Sequence, residues 1–144
     1  YGVKPSQIEL ELTESMFIHD LNSAINIMKK LRSLGFRFSI DDFGKGFSSL
    51  SYLQKLPINN IKIDRSFIKD IDTNPSSKIL TKTITNLAHD LQLEVDIKGV
   101  ETLPQLIHVK KTSCDMVQGF YFSKPLKENH VIDFLKTPIG SREK

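Results

Sequence analysis

The sequence predicts an α/β domain built around a parallel sheet. Runs typical of strands alternate with helical patterns along the chain, which is the signature of successive βαβ units. A chain of 144 residues is long enough for one such domain. Because no repeat, low-complexity tract or linker interrupts this alternation, we expect one domain over residues 1–137, followed by a disordered tail over residues 138–144.

The first half of the chain predicts two strands and two helices. Residues 8–12 and 36–40 alternate in polarity and form the strands. The helix between them begins after Asp20 as N-cap and stops at Gly35. Its apolar residues recur at helical spacing: Leu21, Ala24, Ile25, Met28, Leu31 and Leu34. A short helix then contains Leu50, Leu53 and Leu56, and Pro57 ends it.

The second half predicts three further strands, at residues 60–64, 94–100 and 116–122. A long helix follows Asn74-Pro75, with Ser76 or Ser77 as its N-cap. Its apolar face consists of Ile79, Leu80, Thr83, Ile84, Leu87, Ala88 and Leu91. Thr102 caps the next helix, which has Pro104 in its first turn, and a terminal helix contains residues 131–135.

The composition is that of an ordinary globular protein and excludes several classes. With 39% apolar and 26% charged residues, the chain has no apolar run long enough to span a bilayer. Its net charge of +3 is spread out, so we expect no nucleic acid polymer as a partner. Cys114 is the only cysteine, which excludes an internal disulfide and favours the cytoplasm. We expect it to be a small core residue, and the four histidines to lie at the surface.

The stretch from Ile40 to Leu50 is the most informative in the chain. Two adjacent carboxylates, Asp41 and Asp42, end an apolar strand and lead directly into a Gly-x-Gly loop rich in hydroxyl groups. Like charges side by side repel, so their burial requires a cation or hydrogen-bond donors nearby. Strand ends are also where barrels and open sheets present reactive groups. We therefore expect a functional site here rather than an exposed turn.

Polar residues lie at the ends of all five predicted strands: Glu11 with Glu14, Asp41 with Asp42, Lys62 with Asp64, Lys98 with Glu101, and Gln118. In a parallel βα series these ends meet on the top face of a barrel, where active sites lie. Carboxylates with lysine nearby, and without histidine or cysteine, suit Mg²⁺ or Mn²⁺ acting on phosphate oxygens. Two such ions about 3.5–4 Å apart are typical of phosphodiester cleavage.

Over residues 8–135, successive motifs resemble those of the EAL domain, in the family's order. They are Glu11-Leu12-Thr13-Glu14-Ser15, Asp41-Asp42-Phe43-Gly44-x-Gly46-Phe47-Ser48-Ser49-Leu50, Leu56-Pro57, Lys62-Ile63-Asp64-Arg65-Ser66-Phe67, Gly99-Val100-Glu101-Thr102, Gln118-Gly119-Phe120 and Ser123-Lys124-Pro125. The family comprises TIM-like barrels of bacterial signalling proteins that hydrolyse or bind cyclic di-GMP with Mg²⁺ or Mn²⁺. The resemblance implies that fold, that ligand and that cofactor.

The resemblance also implies roles for individual residues. The metal ligands would be Glu11, Asp41 and Asp42, with Asp41 bridging the two ions. Lys62 would orient the attacking water or a phosphate oxygen, a role that needs a point charge on a flexible stem. Its alternation with Ile61 and Ile63 predicts that its side chain points to the opposite face of the strand. Glu14 would brace the loop over residues 43–49. The ligand would contact Asp42, Phe43, Gly44, Lys62, Gln118 and Gly119, and Glu101 would lie at the rim as a candidate catalytic residue.

The chain departs from the family in its extent. The family's Glu-Ala-Leu strand and an asparagine ligand on the next strand would lie upstream of Tyr1, and five of the eight strands of a barrel are predicted. The missing strands would remove two ligands of the first metal and leave open sheet edges. Because no initiator Met is present, we expect a start within a longer protein. An upstream sensory or GGDEF-type domain is a further expected partner. Alternatively, a homodimer or other self-association completes the barrel.

The second departure is Lys98, at the position where the family's Ala-Glu-Gly-Val-Glu motif has a glutamate that is the expected general base and second-metal ligand. An ammonium group only donates hydrogen bonds and cannot bind a cation. Loss of a positioned base alone typically lowers a rate by about 10²–10⁴-fold. Asp96 lies on the same face of the strand, where valine is usual in the family. We hypothesise that Asp96 and Lys98 form a pair that is stable without metal.

These observations predict a cyclic di-GMP signalling domain of phosphodiesterase ancestry that is catalytically degenerate and acts as a ligand-binding or regulatory module. Two alternatives stay open: an active phosphodiesterase in the full-length protein, with Glu101 as the substitute base, and an interaction scaffold that binds no nucleotide. The Asp42-Phe43-Gly44 stretch does not indicate a protein kinase, because no Gly-rich strand loop or His-Arg-Asp segment accompanies it. The expected location is the cytoplasm, with membrane anchoring of the full-length protein as a further option.

Overall fold

The computed structural model describes residues 2–13, 16, 20–45 and 53–137, and it contains a five-stranded parallel sheet. The strands are β1 (Glu9–Thr13), β2 (Arg37–Phe43), β3 (Asn60–Ile63), β4 (Glu94–Lys98) and β5 (Met116–Gln118). They follow one another across the sheet in chain order, and every neighbouring pair is parallel. The predicted α/β class is confirmed, and this strand order is that of consecutive strands in a barrel.

Helices follow β1, β3, β4 and β5, and their ends follow local capping chemistry. They are α1 (Leu21–Ser33), α2 (Pro75–Asp90), α3 (Leu103–Lys110) and α4 (Glu128–Lys136). The predicted caps at Asp20 and Thr102 are confirmed, because each side chain accepts a hydrogen bond from the backbone of the first turn. The prediction for α2 is wrong: Asn74 is the cap, since Pro75 already occupies the first helical position.

Two strands, β4 and β5, end at least two residues before the position that the sequence pattern predicts. β4 ends at Lys98 because Gly99 has a φ of +83°, which leaves the extended conformation. β5 ends at Gln118 because the chain turns there, and the backbone N–H of Phe122 donates to the carbonyl oxygen of Gly119 at 3.1 Å. The predicted helix at residues 50–56 lies partly outside the described residues; Leu53 and Leu56 are buried in the core.

The sheet has one apolar and one polar face, as the alternation of its strands predicts. The apolar face packs against helices α1, α2 and α3 and includes Leu10, Phe38, Ile40, Ile61, Ile63, Val95 and Ile97. The polar face includes Glu9, Glu11, Arg37, Ser39, Asp41, Asn60, Lys62, Glu94, Asp96, Lys98 and Gln118. The charged groups predicted from the strand ends therefore lie together on one side of the sheet.

The remaining predictions concern burial. Cys114 is half-buried against the core, and burial raises the pKa of its thiol. Helix α4 contributes no buried residue. Within the described part of the chain, no helix is both long and apolar enough to cross a bilayer. Glu14 and the expected tail over residues 138–144 lie outside the described residues.

Candidate functional site

Asp41 and Asp42 reach the same side of the sheet because β2 is irregular where it ends. In a regular strand, consecutive side chains point to opposite faces. The register of β2 with β3 shifts between Ile40 and Phe43. Asp42 has a φ of +53°, a left-handed conformation that aspartate tolerates better than most residues. We interpret this as a β-bulge that brings the second carboxylate beside the first.

Lys98 holds these two carboxylates together. Its Nζ donates to Oδ1 of Asp41 and, at 3.1 Å, to Oδ1 of Asp42. The side chains of Lys98 and Asp41 are 23% and 22% exposed. Burial opposes the charge of Lys98, but its hydrogen bonds to Asp41 and Asp42 outweigh that cost and raise its pKa above the ordinary value. The lysine is therefore a permanent cation between the two aspartates.

A second ammonium group, that of Lys45, contacts the other oxygen of Asp42. Its Nζ lies 3.3 Å from Oδ2 of Asp42 and 3.0 Å from Oδ2 of Asp64. Asp64 is buried and also accepts a hydrogen bond from the backbone of Ser66 at 2.9 Å. Asp64 was predicted among the polar strand ends without a role of its own, and Lys45 was not predicted as a site residue. The position of Lys45 between two loop glycines was the signal that could have indicated it.

The ion pair of Asp64 predicts a loss of stability in acid. Burial alone would raise the pKa of Asp64, but hydrogen bonds from Ser66 and Lys45 lower it to about 2, against an ordinary value of 3.8. A carboxyl group with a depressed pKa in the folded state stabilises the fold above pH 4, and this contribution disappears as the pH falls toward 2. We expect it to amount to about 2 kcal/mol at neutral pH.

The measurement is urea unfolding of the wild type and of Asp64→Asn between pH 2 and 7. Asparagine keeps an oxygen that can accept from Ser66, but it removes the charge that pairs with Lys45. The difference in the free energy of unfolding should be largest at neutral pH and shrink below pH 4. A difference that stays constant over this range would contradict the assignment.

Lys62 forms a separate cluster of charged side chains on the same face of the sheet, with partners in β1 and β4. Its Nζ donates to Oε1 of Glu11 and lies 3.2 Å from Oε1 of Glu9 and 3.9 Å from Oδ2 of Asp96. Burial opposes its charge, but the hydrogen bonds to Glu11 and Glu9 prevail and raise the pKa of Lys62. The predicted orientation of Lys62 is confirmed. The hypothesis that Asp96 pairs with Lys98 is wrong, because the bulge gives Lys98 two carboxylates of its own.

Asp96 lies in a buried polar patch beneath this cluster. Its Oδ1 has no hydrogen-bond partner among the described residues, and the same holds for Oγ of Ser39 and for both polar side-chain atoms of Asn60. Burial raises the pKa of Asp96, against the opposing influence of Asn60 and Lys62. Glu9 and Glu11 approach the ammonium group of Lys62 more closely than Asp96 does.

Two adjoining cavities open at the carboxyl ends of the strands. The smaller, of about 270 Å³, is lined by Asp42, Lys45, Asp64, Arg65, Lys98, Gly99 and Gln118. The larger, of about 520 Å³, is lined by Lys45, Asp64, Arg65, Ser66, Lys69, Gly99, Glu101 and Gln105. Because they share four lining residues, we treat them as one groove that runs from Lys98 to Lys69. Its size is in the range of small-molecule sites.

The structure brings some of the predicted ligand residues into this groove and not others. Gln118 and Glu101 line it at opposite ends. The side chain of Phe43 fills the apolar core, so it is not available to a ligand. Gly44 has a φ of +97°, and a Cβ at this position would lie 2.6 Å from the ring of Phe67.

The predicted metal ligands do not fit a pair of divalent cations as their side chains stand. Lys98 donates to both aspartates that would bind metal, and Lys62 donates to Glu11. Protonated lysine has no lone pair to offer a cation. Among the described residues, no three histidine, cysteine, aspartate or glutamate side chains come together as a metal site requires. Each of the three predicted ligands is instead bound to a lysine of the same chain.

Comparison with protein families gives a match to the EAL domain over residues 1–125. The chain is 44% identical over 135 residues to the signaling protein YkoW of Bacillus subtilis (strain 168). It is 40% identical over 135 residues to the cyclic di-GMP phosphodiesterase NbdA of Pseudomonas aeruginosa. Each match covers 94% of this chain and 17% of the relative, so the chain spans less than a fifth of the length of either protein.

Solved structures give the same result at the level of the fold. The PaMucR phosphodiesterase in its cyclic di-GMP complex superposes with a TM-score of 0.84 at 35% identity, over 90% of this chain and 52% of that one. The Klebsiella pneumoniae protein BlrP1, in a manganese and cyclic di-GMP complex, superposes with a TM-score of 0.80 at 32% identity. The match covers 86% of this chain and 32% of that one. The five strands thus correspond to part of an EAL barrel, and the chain belongs to the EAL domain family, which confirms the resemblance that its motifs indicated.

Proposed function

We propose that this chain is a cyclic di-GMP signalling domain that has lost hydrolysis and acts as a ligand-binding or regulatory module. The observation that carries this proposal is the pair of hydrogen bonds from Lys98 to Asp41 and Asp42. In this arrangement the aspartates bind an ammonium group, and no general base stands at position 98. A positioned base is worth about 10²–10⁴ in rate, so its absence alone makes turnover very slow.

Ligand binding does not require the same groups as hydrolysis. The groove keeps a volume that suits a nucleotide and is lined by several basic side chains. Gln118 lies beside Lys98 and offers both a donor and an acceptor. These features support retained binding of an anionic nucleotide. Cyclic di-GMP is the ligand we propose, because similar EAL proteins have been solved in complexes with it.

The test combines two measurements on the intact protein. Cyclic di-GMP hydrolysis is followed by chromatography with Mn²⁺ for the wild type and Lys98→Glu, and binding is measured by calorimetry in EDTA. We expect the wild type to bind without hydrolysis, and Lys98→Glu to hydrolyse at least about 10²-fold faster. The matched control is Lys110→Glu, which makes the same charge change at an exposed residue in the last turn of α3.

Each alternative corresponds to a distinct result. Equal hydrolysis by the wild type and Lys98→Glu would favour an active phosphodiesterase, with Glu101 at the groove as the substitute base. Absence of binding in the calorimeter would favour an interaction scaffold without nucleotide affinity. Hydrolysis that rises equally in Lys110→Glu would show that the response reflects net charge rather than position 98.

The proposal extends to cofactor, partners and location. Binding of Mg²⁺ or Mn²⁺ through Glu11, Asp41 and Asp42 stays a prediction that depends on displacing Lys62 and Lys98. Self-association and an upstream sensory or GGDEF-type domain remain the expected partners, and the cytoplasm remains the expected location. Size-exclusion chromatography with light scattering, with and without cyclic di-GMP, measures self-association.

A further inference from the structure

Two cations of the groove form no ion pair with any carboxylate among the described residues. Lys45 and Lys98 are each bound to two carboxylates, so these two cations are shared among the three carboxylates of Asp41, Asp42 and Asp64. Arg65 and Lys69 also line the larger cavity, and neither forms an ion pair within the described part of the chain. Of the charged side chains that line this cavity, Glu101 is the remaining anion. The end of the groove near α3 therefore has an excess of positive charge.

The backbones that carry these two cations are held in place. Arg65 begins a 3₁₀ turn, Arg65–Phe67, which the buried side chain of Asp64 caps. Gly99 packs so closely on Arg65 that an added Cβ would lie 3.2 Å from its Cα and nearer still to its Cβ. The N–H of Lys69 donates to the carbonyl of Arg65 at 3.0 Å. The side-chain amide of Gln105 donates to the carbonyl of Lys69 at 3.3 Å.

Held backbones with exposed, unpaired cationic ends suit recognition of an anion. A guanidinium group can bind two oxygens of a phosphate at once, and an ammonium group adds a point charge on a flexible stem. Fixing the backbone of the site beforehand reduces the entropy that is lost on binding. The aspartates, in contrast, already have their counter-ions. A phosphate group is therefore attracted to the α3 end of the groove rather than to Asp41 and Asp42.

We propose that Arg65 and Lys69 form an anion-binding arm of the groove, which holds a phosphate group of the ligand without a divalent metal. The ligand class is a phosphate ester or phosphodiester. Its identification with cyclic di-GMP rests on the function proposed above, whereas the arm itself does not. Because the arm lies at the surface, its attraction for phosphate weakens as salt screens the charges.

The experiment measures binding of two probes, cyclic di-GMP and inorganic pyrophosphate, by calorimetry in EDTA. The proteins are the wild-type chain, Arg65→Ala, Lys69→Ala and the double variant, with Lys110→Ala and Lys111→Ala as controls at exposed positions near the end of α3. Alanine at position 65 keeps the Cβ that packs on Gly99. Thermal melting confirms that each variant is folded, and Lys69→Gln repeats the test with a longer side chain.

We expect the double variant to bind both probes at least tenfold more weakly than the wild type, and the control variants to stay within twofold. Affinity of the wild type should fall steadily between 50 and 300 mM salt, and that of the double variant should change little. Unchanged binding by the double variant would overturn the arm while leaving cyclic di-GMP binding intact. Pyrophosphate binding that needs the arm, without cyclic di-GMP binding, would uphold the arm and reject the proposed ligand. Binding of neither probe would overturn both.

Discussion

Replacing Gly119 by alanine should lower the free energy of unfolding by roughly 3 kcal/mol. An added Cβ would lie 2.5 Å from the backbone nitrogen of Val100 and nearer still to its carbonyl oxygen. The obstacle is backbone rather than a flexible side chain, so β4 and β5 would have to separate. The same contact holds the two strand ends together, since the N–H groups of Gly99 and Val100 both donate to the carbonyl of Gln118. Gly119 thus shapes the groove by close approach, although it was predicted as a ligand residue.

Urea unfolding followed by circular dichroism measures this effect, with Gly35→Ala as the matched control. Gly35 has a φ of +104°, but the nearest atoms to an added Cβ are 3.6 Å away. Alanine at position 35 is disfavoured only by the positive φ, which costs about 1 kcal/mol of stability. A loss in Gly119→Ala no larger than that in Gly35→Ala would show that the strand ends adjust freely and that the close approach is unimportant.

The fold could be predicted from the sequence wherever local patterns determine it. The alternation of residues 8–12 and 36–40 predicted both strands and their polar face, because successive side chains of a strand point to opposite faces of the sheet. Caps such as Asp20 and Thr102 were predictable because they depend on neighbours within one turn. The ends of β4 and β5 were missed because Gly99, at a positive φ, and the turn from Gly119 to Phe122 interrupt the runs that predicted longer strands.

The site was predictable in its residue types but not in its pairings. Asp41, Asp42 and Lys62 were identified from strand ends and motifs. Pairing depends on the bulge at Asp42, which a count of alternating positions does not reveal, and this is why Asp96 was assigned to Lys98. Lys45 was missed for a related reason: its partners lie at the end of β2 and just after β3, and only the fold brings them together.

Replacing Lys98 by glutamate should make the stability of the chain depend on divalent metal. The change removes the ammonium group that holds Asp41 and Asp42 and adds a third carboxylate in its place. In EDTA we expect the free energy of unfolding to fall by roughly 3 kcal/mol, because like charges then face one another in a partly buried site. Mn²⁺ at about 100 times its dissociation constant should restore about 2.7 kcal/mol. The wild type should show no comparable response, since its cation is covalently part of the chain.

Thermal melting with and without Mn²⁺ measures both the loss of stability in EDTA and its recovery with metal. The variant Lys98→Met separates these two effects. Methionine removes the charge without supplying a ligand, so this variant should be destabilised yet gain less from Mn²⁺ than Lys98→Glu does. Because melting does not depend on turnover, the result bears on the site even if neither variant hydrolyses cyclic di-GMP. An equal rise in melting temperature for the wild type and Lys98→Glu would mean that metal displaces Lys98 readily. The two aspartates would then be metal ligands with a displaceable lysine, and the case for a site that works without metal would fail.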